Sequence, residues 1–232
     1  MLFYKGPSKI DGQPIIAIAT IGSKNPKTGP MIQTWIMRSD IEPHHAIKTG
    51  ADVSVCGQCP HRPAKNGSCY VTTFQAPLSV FRAYHRGSYD NATIDQFQGL
   101  PLRMGSYGDP LAVPLAAWKK LLDVCNGHTG YTHQWQSSKS RKWRELVMAS
   151  CDTEREADLA ASRDWRYFRV TESSNKQKGE VVCPASDEGG HKLSCADCLA
   201  CSGNTRNGRG IVIEAHGSRA NRFNQHLIAR AS

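Results

Sequence analysis

The sequence predicts an α/β protein built as a partial, open β/α barrel, with an N-terminal β-hairpin and cysteine-ligated metal sites. Short apolar runs alternate with helix-like stretches, a pattern typical of parallel strands joined by crossover helices. A complete eight-unit barrel needs about 250 residues, and this chain has 232 in total. Two cysteine-rich stretches interrupt the alternation and predict the metal sites.

The N-terminal segment, residues 1–49, is predicted to pack on a main domain of residues 50–232. Apolar runs at residues 15–21 and 31–37 flank the turn-rich stretch SKNPKTGP, which favours a β-hairpin. A short helix is predicted over residues 43–49. The segment therefore contributes two strands and one helix.

The main domain is predicted to begin with an irregular, cysteine-bearing loop at residues 50–69. Apolar runs then predict strands at residues 70–74, 100–104, 128–133, 146–149, 165–170, 181–182 and 211–213. Helices are predicted at residues 113–124, 140–145 and 153–162. The last helix begins with Thr153 and Glu156 in the spacing of a capping box. The polar segment 173–180 is predicted to be a flexible loop.

Composition and charge restrict the class of protein. Hydrophobic residues make up 39% and charged residues 21%, near the values of folded domains, which argues against a disordered chain. We expect a cytoplasmic protein without membrane contact, because the sequence shows neither a bilayer-spanning segment nor a signal peptide. The net charge of +9 favours an anionic partner such as DNA or RNA, with a solvated basic surface as the alternative. The oligomeric state is open.

The chain has nine cysteines; disulfides are disfavoured in the cytoplasm, and an odd number cannot all pair. Metal or cluster ligation is therefore the leading interpretation of the grouped ones. Cys125 and Cys151 stand alone in predicted regular elements, and we interpret them as small buried hydrophobes.

The C-terminal cysteines combine Cys183, followed by proline, with a C-x2-C-x2-C run formed by Cys195, Cys198 and Cys201. Three thiolates around one tight turn are typical of three corners of a 4Fe–4S cluster, with a fourth cysteine arriving from a distance. Structural zinc sites more often combine two separated pairs. We interpret this group as cluster ligands, with zinc or unligated thiols as alternatives.

An earlier group has the spacing C-x2-C-x9-C and consists of Cys56, Cys59 and Cys69. Three cysteines near the start of a β/α domain can hold a cluster and leave one iron open to a small molecule. Zinc is the alternative, with His61 or His85 as the fourth donor. The sequence leaves open whether the three cysteines bind one metal site.

The segment GSYGDP follows a predicted strand, at the face where the loops of a β/α barrel build the active site. Gly105 and Gly108 would allow the backbone to approach a ligand, and Asp109 could bind an amine or a hydroxyl. A plain turn is the alternative, because Gly-Asp-Pro is strong turn chemistry.

Histidines occur in two predicted strands. His128 and His133 should face opposite sides of their strand, and at least one should be a hydrogen-bonded core residue. Tyr131 shares a face with His133, and both are expected to line the pocket. Glu214 and His216 also share a face, where a satisfied hydrogen bond is expected rather than acid–base chemistry.

A basic stretch, SSKSRKWR, places Lys139, Arg141, Lys142 and Arg144 around Trp143. These side chains could grip phosphates while the indole stacks on a base. A solvated helix face with the tryptophan turned inward is the equal alternative.

The motifs CGQCPHRPAKNGSCYV, LRMGSYGDP, YTHQW, LVMASCDT, DWRYFRV, VVCPAS, CADCLAC and IVIEAHG follow one another over roughly residues 50–216. In this order the chain resembles a group of phage- and plasmid-encoded proteins without an assigned activity. Their barrel is similar to that of the radical S-adenosylmethionine (SAM) enzymes. The resemblance is most specific in the cysteine-proline strand, the C-x2-C-x2-C run and the final strand with histidine.

The resemblance implies a 4Fe–4S cluster on the three cysteines of the earlier group, with an open iron that chelates SAM and Tyr70 as the aromatic neighbour. It implies a SAM-contacting loop at Gly105, Gly108 and Asp109, and an auxiliary cluster on the C-terminal group. The earlier group departs from the family's spacing, which is C-x3-C-x2-C.

Two functional hypotheses follow. The first is an iron–sulfur protein of a mobile element with one or two 4Fe–4S clusters, radical-SAM-like, acting on or near nucleic acid. The second is a zinc-stabilised nucleic-acid-binding protein without catalytic activity, which rests on the net charge of +9 and the basic stretch. Whether the protein is an enzyme stays open between them.

Overall fold

The computed structural model describes residues 1–22, 25–172, 176–205, 208–216 and 219–231. Over these ranges nine strands form one sheet: β1 (Leu2–Pro7), β2 (Pro14–Thr20), β3 (Ile32–Arg38), β4 (Leu102–Tyr107), β5 (His128–Thr132), β6 (Met148–Cys151), β7 (Tyr167–Thr171), β8 (Glu180–Val182) and β9 (Gly210–Glu214). The strand order is β1-β2-β3-β4-β5-β6-β7-β9-β8, and the sheet does not close on itself.

Seven α-helices are assigned in the same ranges: α1 (Pro43–Thr49), α2 (Val53–Cys56), α3 (Ala76–His85), α4 (Leu115–Leu122), α5 (Glu154–Ser162), α6 (Cys195–Cys198) and α7 (Ala220–Ala231). Short 3-10 helices include Pro63–Lys65 and Ser138–Glu145. No helix among the described residues has the length and the apolar character that crossing a membrane requires.

The first three strands form an antiparallel meander, which confirms the predicted hairpin. β2 and β3 pair in register, with Ile18 opposite Trp35. Every residue from 15 to 19 is fully buried, because this strand lies between two neighbours and is covered on both faces. β3 then pairs in parallel with β4, with Ile32 opposite Leu102, so one sheet runs from residues 1–49 into the main domain.

From β3 onward all pairings are parallel, as the alternation of apolar runs and helices predicts. Neighbouring strands follow chain order as far as β7. Because the strands from β3 onward are parallel, their carboxyl ends lie side by side along one edge of the sheet. Trp118 and Leu121 of α4 are fully buried at helical spacing in the core of this sheet. The predicted α/β class and open, mostly parallel sheet are confirmed.

The predicted cap of α5 is also confirmed. The Thr153 hydroxyl accepts a hydrogen bond from the Glu156 backbone N–H at 3.2 Å. The Glu156 carboxylate in turn accepts one from the backbone N–H of Asp152 at 2.8 Å. The first bond satisfies an N–H group that the first helical turn leaves without a partner, and the second ties the helix to the residue before its cap.

The strand predicted at residues 70–74 is wrong. Residues 70–74 are assigned to no strand, and the aromatic side chains Tyr70 and Phe74 are 68% and 65% exposed, whereas Thr73 is buried. The chain instead turns into α3, which the sequence analysis lacked together with β1. In the predicted loop at 173–180, residues 173–175 lie outside the described residues, and β8 begins at Glu180.

Candidate metal centre

A cavity of about 350 Å³ lies against one face of the parallel strands. Alternate strand residues line it, because side chains of a strand point to opposite faces in turn. The lining strand residues are Arg103, Gly105, Tyr107, Thr129, Tyr131, Ser150, Phe168, Val170, Ile211 and Ile213, together with Ser106 near the end of β4. All seven grouped cysteines line the same cavity: Cys56, Cys59, Cys69, Cys183, Cys195, Cys198 and Cys201. The two groups therefore face one shared space.

Polar side chains reach the cavity directly beyond the carboxyl ends of five strands. They are Asp109 after β4, His133 after β5, Asp152 after β6, Cys183 after β8 and His216 after β9. Loops at these strand ends are the usual position of ligand sites in parallel β/α folds. The cavity thus occupies the face at which the sequence analysis expected an active site.

The earlier cysteine group is held on one loop between β3 and β4. Cys56 ends α2, the Cys59 backbone N–H donates to the Cys56 carbonyl at 3.2 Å, and that of Cys69 donates to the His61 carbonyl at 2.9 Å. Burial raises the pKa of the Cys56 thiol well above its usual value, and the neighbouring Cys59 and Cys69 raise it further. The three thiols therefore lie close enough to influence one another's ionisation, as ligands of one centre would.

A buried ion pair braces this loop. The Arg62 guanidinium donates to both carboxylate oxygens of Asp52, at 2.9 and 2.6 Å, and the two residues are 7% and 1% exposed. Arg62 also donates to the Gly50 carbonyl at 2.7 Å. A single side chain thus ties the start of the loop to its middle, and Cys56 and Cys59 lie between the two tied points.

The C-terminal group is ordered by the hairpin turn between β2 and β3. The backbone N–H groups of Cys195 and Ala196 donate to the carbonyls of Lys27 and Thr28, at 2.9 and 3.1 Å. Because these two bonds join the turn to the first residues of α6, they fix the start of the C-x2-C-x2-C run. The predicted hairpin therefore has a second role, which is to support the second cysteine group.

Cys201 and Cys183 are the two buried cysteines of the C-terminal group. Burial raises the pKa of the Cys201 thiol to about 12, while a hydrogen bond with the Tyr131 hydroxyl lowers it. Neighbouring Cys183, Cys195 and Cys198 each raise it in turn. All four cysteines of the group are thus gathered, including Cys183, which the sequence analysis placed as the distant fourth ligand.

A second arginine braces the C-terminal loop. The Arg166 guanidinium donates to the carbonyls of Ala200, Gly203 and Gly208, at 2.9, 2.7 and 3.2 Å. Backbone carbonyls in an irregular loop need such donors, because they have no strand or helix partner. Arg166 therefore fixes the segment that follows Cys198.

The predicted ligand-contacting glycines both line the cavity. Gly105 and Gly108 have φ angles of +77° and +86°, which glycine adopts without strain. A Cβ at Gly108 would lie 2.7 Å from the Ile36 Cβ, so the loop is packed directly on β3. The glycines thus permit both the turn and its close approach to the neighbouring strand.

The Asp109 carboxylate joins the ends of β4 and β5. It accepts hydrogen bonds from the Thr132 hydroxyl at 2.9 Å, the His133 backbone N–H at 3.0 Å and the Leu111 backbone N–H at 3.0 Å. Burial raises its pKa to about 6, and these hydrogen bonds oppose that shift. Asp109 lines the cavity, but its oxygens are engaged in positioning the two loops.

The structure separates the two histidines considered as a fourth donor. His61 lines the cavity, and its Nδ1 and Nε2 lie 2.8 Å from the Ser68 hydroxyl and 2.9 Å from Asp152 Oδ1. His85 lies on α3 with its Nε2 3.1 Å from the Ser39 carbonyl, outside the cavity lining. Of the two, His61 alone is placed to serve the earlier group.

The strand histidines are arranged as predicted. His128 is 8% exposed, and its Nε2 lies 2.8 Å from the Leu146 carbonyl, so it is the hydrogen-bonded core residue. Tyr131 and His133 both line the cavity. His216 lines it as well, with its Nε2 3.1 Å from Lys27 Nζ.

The basic stretch lies on the 3-10 helix Ser138–Glu145, away from the cavity lining. Lys139, Arg141 and Lys142 are exposed, whereas Arg144 pairs with Asp164 at 3.2 Å. Trp143 is 5% exposed and belongs to the core. The indole is therefore turned inward and offers no surface for stacking on a base.

The two solitary cysteines stay outside the cavity lining, which supports their interpretation as packing residues. Cys151 is fully buried and Cys125 half-buried, and burial raises the pKa of both thiols, that of Cys125 to about 11. All nine cysteines lie within the described ranges, and none forms a disulfide there.

Several residues at the cavity were missed by the sequence analysis. Tyr107 is 3% exposed, and among the described residues its hydroxyl has no hydrogen-bond partner. Phe223 of α7 and Arg219, which donates to the Cys69 carbonyl, cover the cavity from the C-terminal side. Asp152 could have been found, because it is a polar residue directly after a predicted parallel strand. Nothing in the sequence marks Tyr107 or Phe223.

Comparisons of the chain with protein-family models, with curated proteins and with solved structures find no match. The functional argument therefore rests on the cavity and on the two cysteine groups that face it.

Proposed function

We propose that this protein binds two 4Fe–4S clusters and uses the one at Cys56, Cys59 and Cys69 for radical-SAM-like chemistry. The observation that carries the proposal is the convergence of both cysteine groups on one cavity at the carboxyl ends of parallel strands. The resemblance to phage- and plasmid-encoded proteins makes a mobile element the expected source and nucleic acid an expected substrate class.

The spacing of the sulfurs supports clusters over zinc. Ligand sulfurs about 2.3 Å from a tetrahedral zinc ion lie only about 3.8 Å apart. In the described part of the chain, the groups of three or more ligand atoms within 4.8 Å of one another contain no cysteine. A 4Fe–4S cluster attaches its cysteines to separate irons, so the sulfurs stand further apart around a common centre. In neither group do three sulfurs all lie within 4.8 Å of one another, which disfavours a single tetrahedral ion.

The difference in ligand number supports a ligand-binding role for the earlier group. Its three cysteines would leave one iron open, whereas four cysteines close the other cluster. The buried Tyr107 hydroxyl, which has no partner among the described residues, offers a bound molecule a hydrogen bond. The cavity volume, about 350 Å³, lies within the range of small-molecule sites.

A reduced cluster with an open iron, supplied with one electron by an external donor, would cleave the sulfonium C5′–S bond of SAM into methionine and a radical that takes a hydrogen atom from the substrate. The chain's own part is positioning and exclusion of water. Phe168, Ile211 and Ile213 give the cavity an apolar wall, which protects a radical from solvent. Gly105 and Gly108 let the backbone approach the bound molecule closely.

The test is formation of 5′-deoxyadenosine by anaerobically purified protein incubated with SAM and dithionite. We expect product from the natural chain and from Cys125→Ala, the matched control, because Cys125 lies outside the cavity lining. Cys56→Ala should abolish it. Equal product from the natural chain and Cys56→Ala would refute the radical chemistry.

A zinc-stabilised nucleic-acid-binding protein is the second candidate. Its support is the exposure of Lys139, Arg141 and Lys142 on one short helix, with a net charge of +9 for the chain. Binding is measured as a function of salt concentration, and the slope of log affinity against log salt is compared. Replacing all three by glutamine should make this slope shallower by about 0.9 for each phosphate contact that is lost. Fluorescence anisotropy with labelled RNA and DNA measures this, and an unchanged salt dependence would exclude this surface.

A further inference from the structure

We propose that the same cavity contains a mononuclear divalent-metal site formed by His61, His133 and Asp152. One ligand atom of each residue lies within 4.8 Å of the other two. The three residues come from separate elements, namely the earlier cysteine loop and the ends of β5 and β6. None of them is a cysteine, so this site stands or falls independently of the cluster proposal.

The distances suit a first-row transition metal. His61 Nε2 lies 2.9 Å from Asp152 Oδ1. Nitrogen and oxygen ligands about 2.1 Å from a metal lie about 3.0 Å apart when they are adjacent around an octahedral ion. The observed separation is therefore that of one edge of a coordination octahedron. The His133 ring meets the His61 ring nearly edge-on, at a centroid distance of 5.5 Å and an angle of 69°.

Outer contacts hold the ligands in place. His61 Nδ1 lies 2.8 Å from the Ser68 hydroxyl, and Phe223 stacks on the ring at 5.4 Å and 28°. The His133 backbone N–H donates to Asp109 at 3.0 Å. The contact of His61 Nδ1 with Ser68 is of the kind that metal-binding histidines commonly form through the second ring nitrogen, which orients the first toward the metal. The backbone bond of His133 fixes only the position of its main chain.

Burial makes a cation favourable at this point. The side chain of Asp152 is 2% exposed and that of His61 is 13% exposed. A buried carboxylate is stabilised by positive charge close to it, and a divalent ion bound between Asp152 and His61 would supply such charge. All three residues line the cavity, so an octahedral ion would have three positions left for water or for oxygen atoms of a bound molecule. Two histidines with one carboxylate are a common donor set for Fe²⁺ and its neighbours in the first transition series.

A second group of similar composition provides an internal comparison. Glu42, His44 and His45 also bring three ligand atoms within 4.8 Å of one another. Arg82 lies 3.1 Å from the Glu42 carboxylate, and its positive charge opposes a cation there. His45 is exposed to solvent. His45→Ala is therefore the matched control for His133→Ala.

Mn²⁺ is the probe, because it prefers oxygen donors and has little affinity for thiolates. Full-length, cluster-loaded protein is treated with EDTA and titrated anaerobically with Mn²⁺, and loss of the free-ion electron paramagnetic resonance signal measures binding. We expect one bound Mn²⁺ in the natural chain and in His45→Ala. Asp152→Asn and His133→Ala should each weaken binding at least tenfold, and Ser68→Ala should weaken it about tenfold.

No bound Mn²⁺ in the natural chain would overturn the site, as would unchanged affinity in Asp152→Asn or a loss confined to His45→Ala. Iron and sulfide measured on the same samples report folding and cluster loading separately. Should both ligand variants fail to fold, Ser68→Ala decides, because an unchanged affinity there contradicts the orienting contact. Mn²⁺ binding to a protein that lacks iron and sulfide would refute the clusters and support this site.

Discussion

The two cysteine groups face the same cavity, but they differ in number and in support. The earlier group offers three sulfurs on one loop, braced by the buried Arg62–Asp52 ion pair. The C-terminal group offers four, held by backbone hydrogen bonds from the β2–β3 turn and by Arg166. Three ligands leave a coordination position available, and four close the site. The proposed function therefore assigns the chemistry to the earlier group and a supporting role to the C-terminal one.

The largest effect should come from breaking the brace of the earlier group. Arg62→Ala leaves the carboxylate of Asp52 buried without its partner, which costs about 3–5 kcal/mol of unfolding free energy. Anaerobic urea unfolding measures the loss, and iron at the earlier group should fall with it. Arg82→Ala is the control, because its ion pair with Glu42 is exposed and contributes about 0–1 kcal/mol. Equal costs for the two variants would contradict the assignment of Arg62 as a brace.

A smaller effect is expected at the C-terminal group. Arg166→Ala removes the donor shared by the carbonyls of Ala200 and Gly203 and should cost about 2 kcal/mol, because these groups lose their partner. Iron should be lost from the C-terminal cluster while the earlier one is retained, as the remaining iron count will show. Arg163→Ala is the control, since Arg163 is exposed and donates one bond of 3.3 Å to the Gln136 carbonyl. Simultaneous loss of both clusters would show that the two supports are not separate.

The smallest effect should come from the turn that reaches the C-terminal group. Gly29 and Gly12 have φ angles of +67° and +79°, so alanine is strained by about 1–2 kcal/mol at either position. Only at Gly29 would the new Cβ also meet a neighbour, the Ser194 hydroxyl at 2.8 Å. Gly29→Ala should therefore be less stable than Gly12→Ala by about 1 kcal/mol in urea unfolding. Equal stabilities would mean that the turn does not support α6.

Much of the fold could be predicted, because apolar runs bounded by turn residues mark buried strands well. The hairpin and the parallel pairing of the later strands were predicted in this way, and the spacing of Thr153 and Glu156 predicted the cap of α5. The strand predicted at residues 70–74 fails because β-branched and aromatic composition alone does not provide a neighbouring strand. β1 was missed because Gly6 and Pro7 end a short run that reads as a terminus.

The cysteines that line the candidate site could be predicted from the sequence, but their convergence on one cavity could not. Cysteine spacing marks both groups, yet no local signal indicates that residues so far apart in the chain face one cavity. His61 and Asp152 lie 91 positions apart and meet only because the strands are arranged side by side. At Trp143 the sequence left two orientations open, because the basic stretch fits an exposed indole and a buried one equally well. In the structure the indole is buried in the core.

The most direct test of the central claim is the metal and sulfide content of anaerobically purified protein. The account predicts about eight irons and eight sulfides per chain, unchanged in the control Cys125→Ala. Variants that lack either cysteine group, Cys56/Cys59/Cys69→Ala or Cys195/Cys198/Cys201→Ala, should each retain about four irons. A colourless protein with zinc and no sulfide would contradict the account.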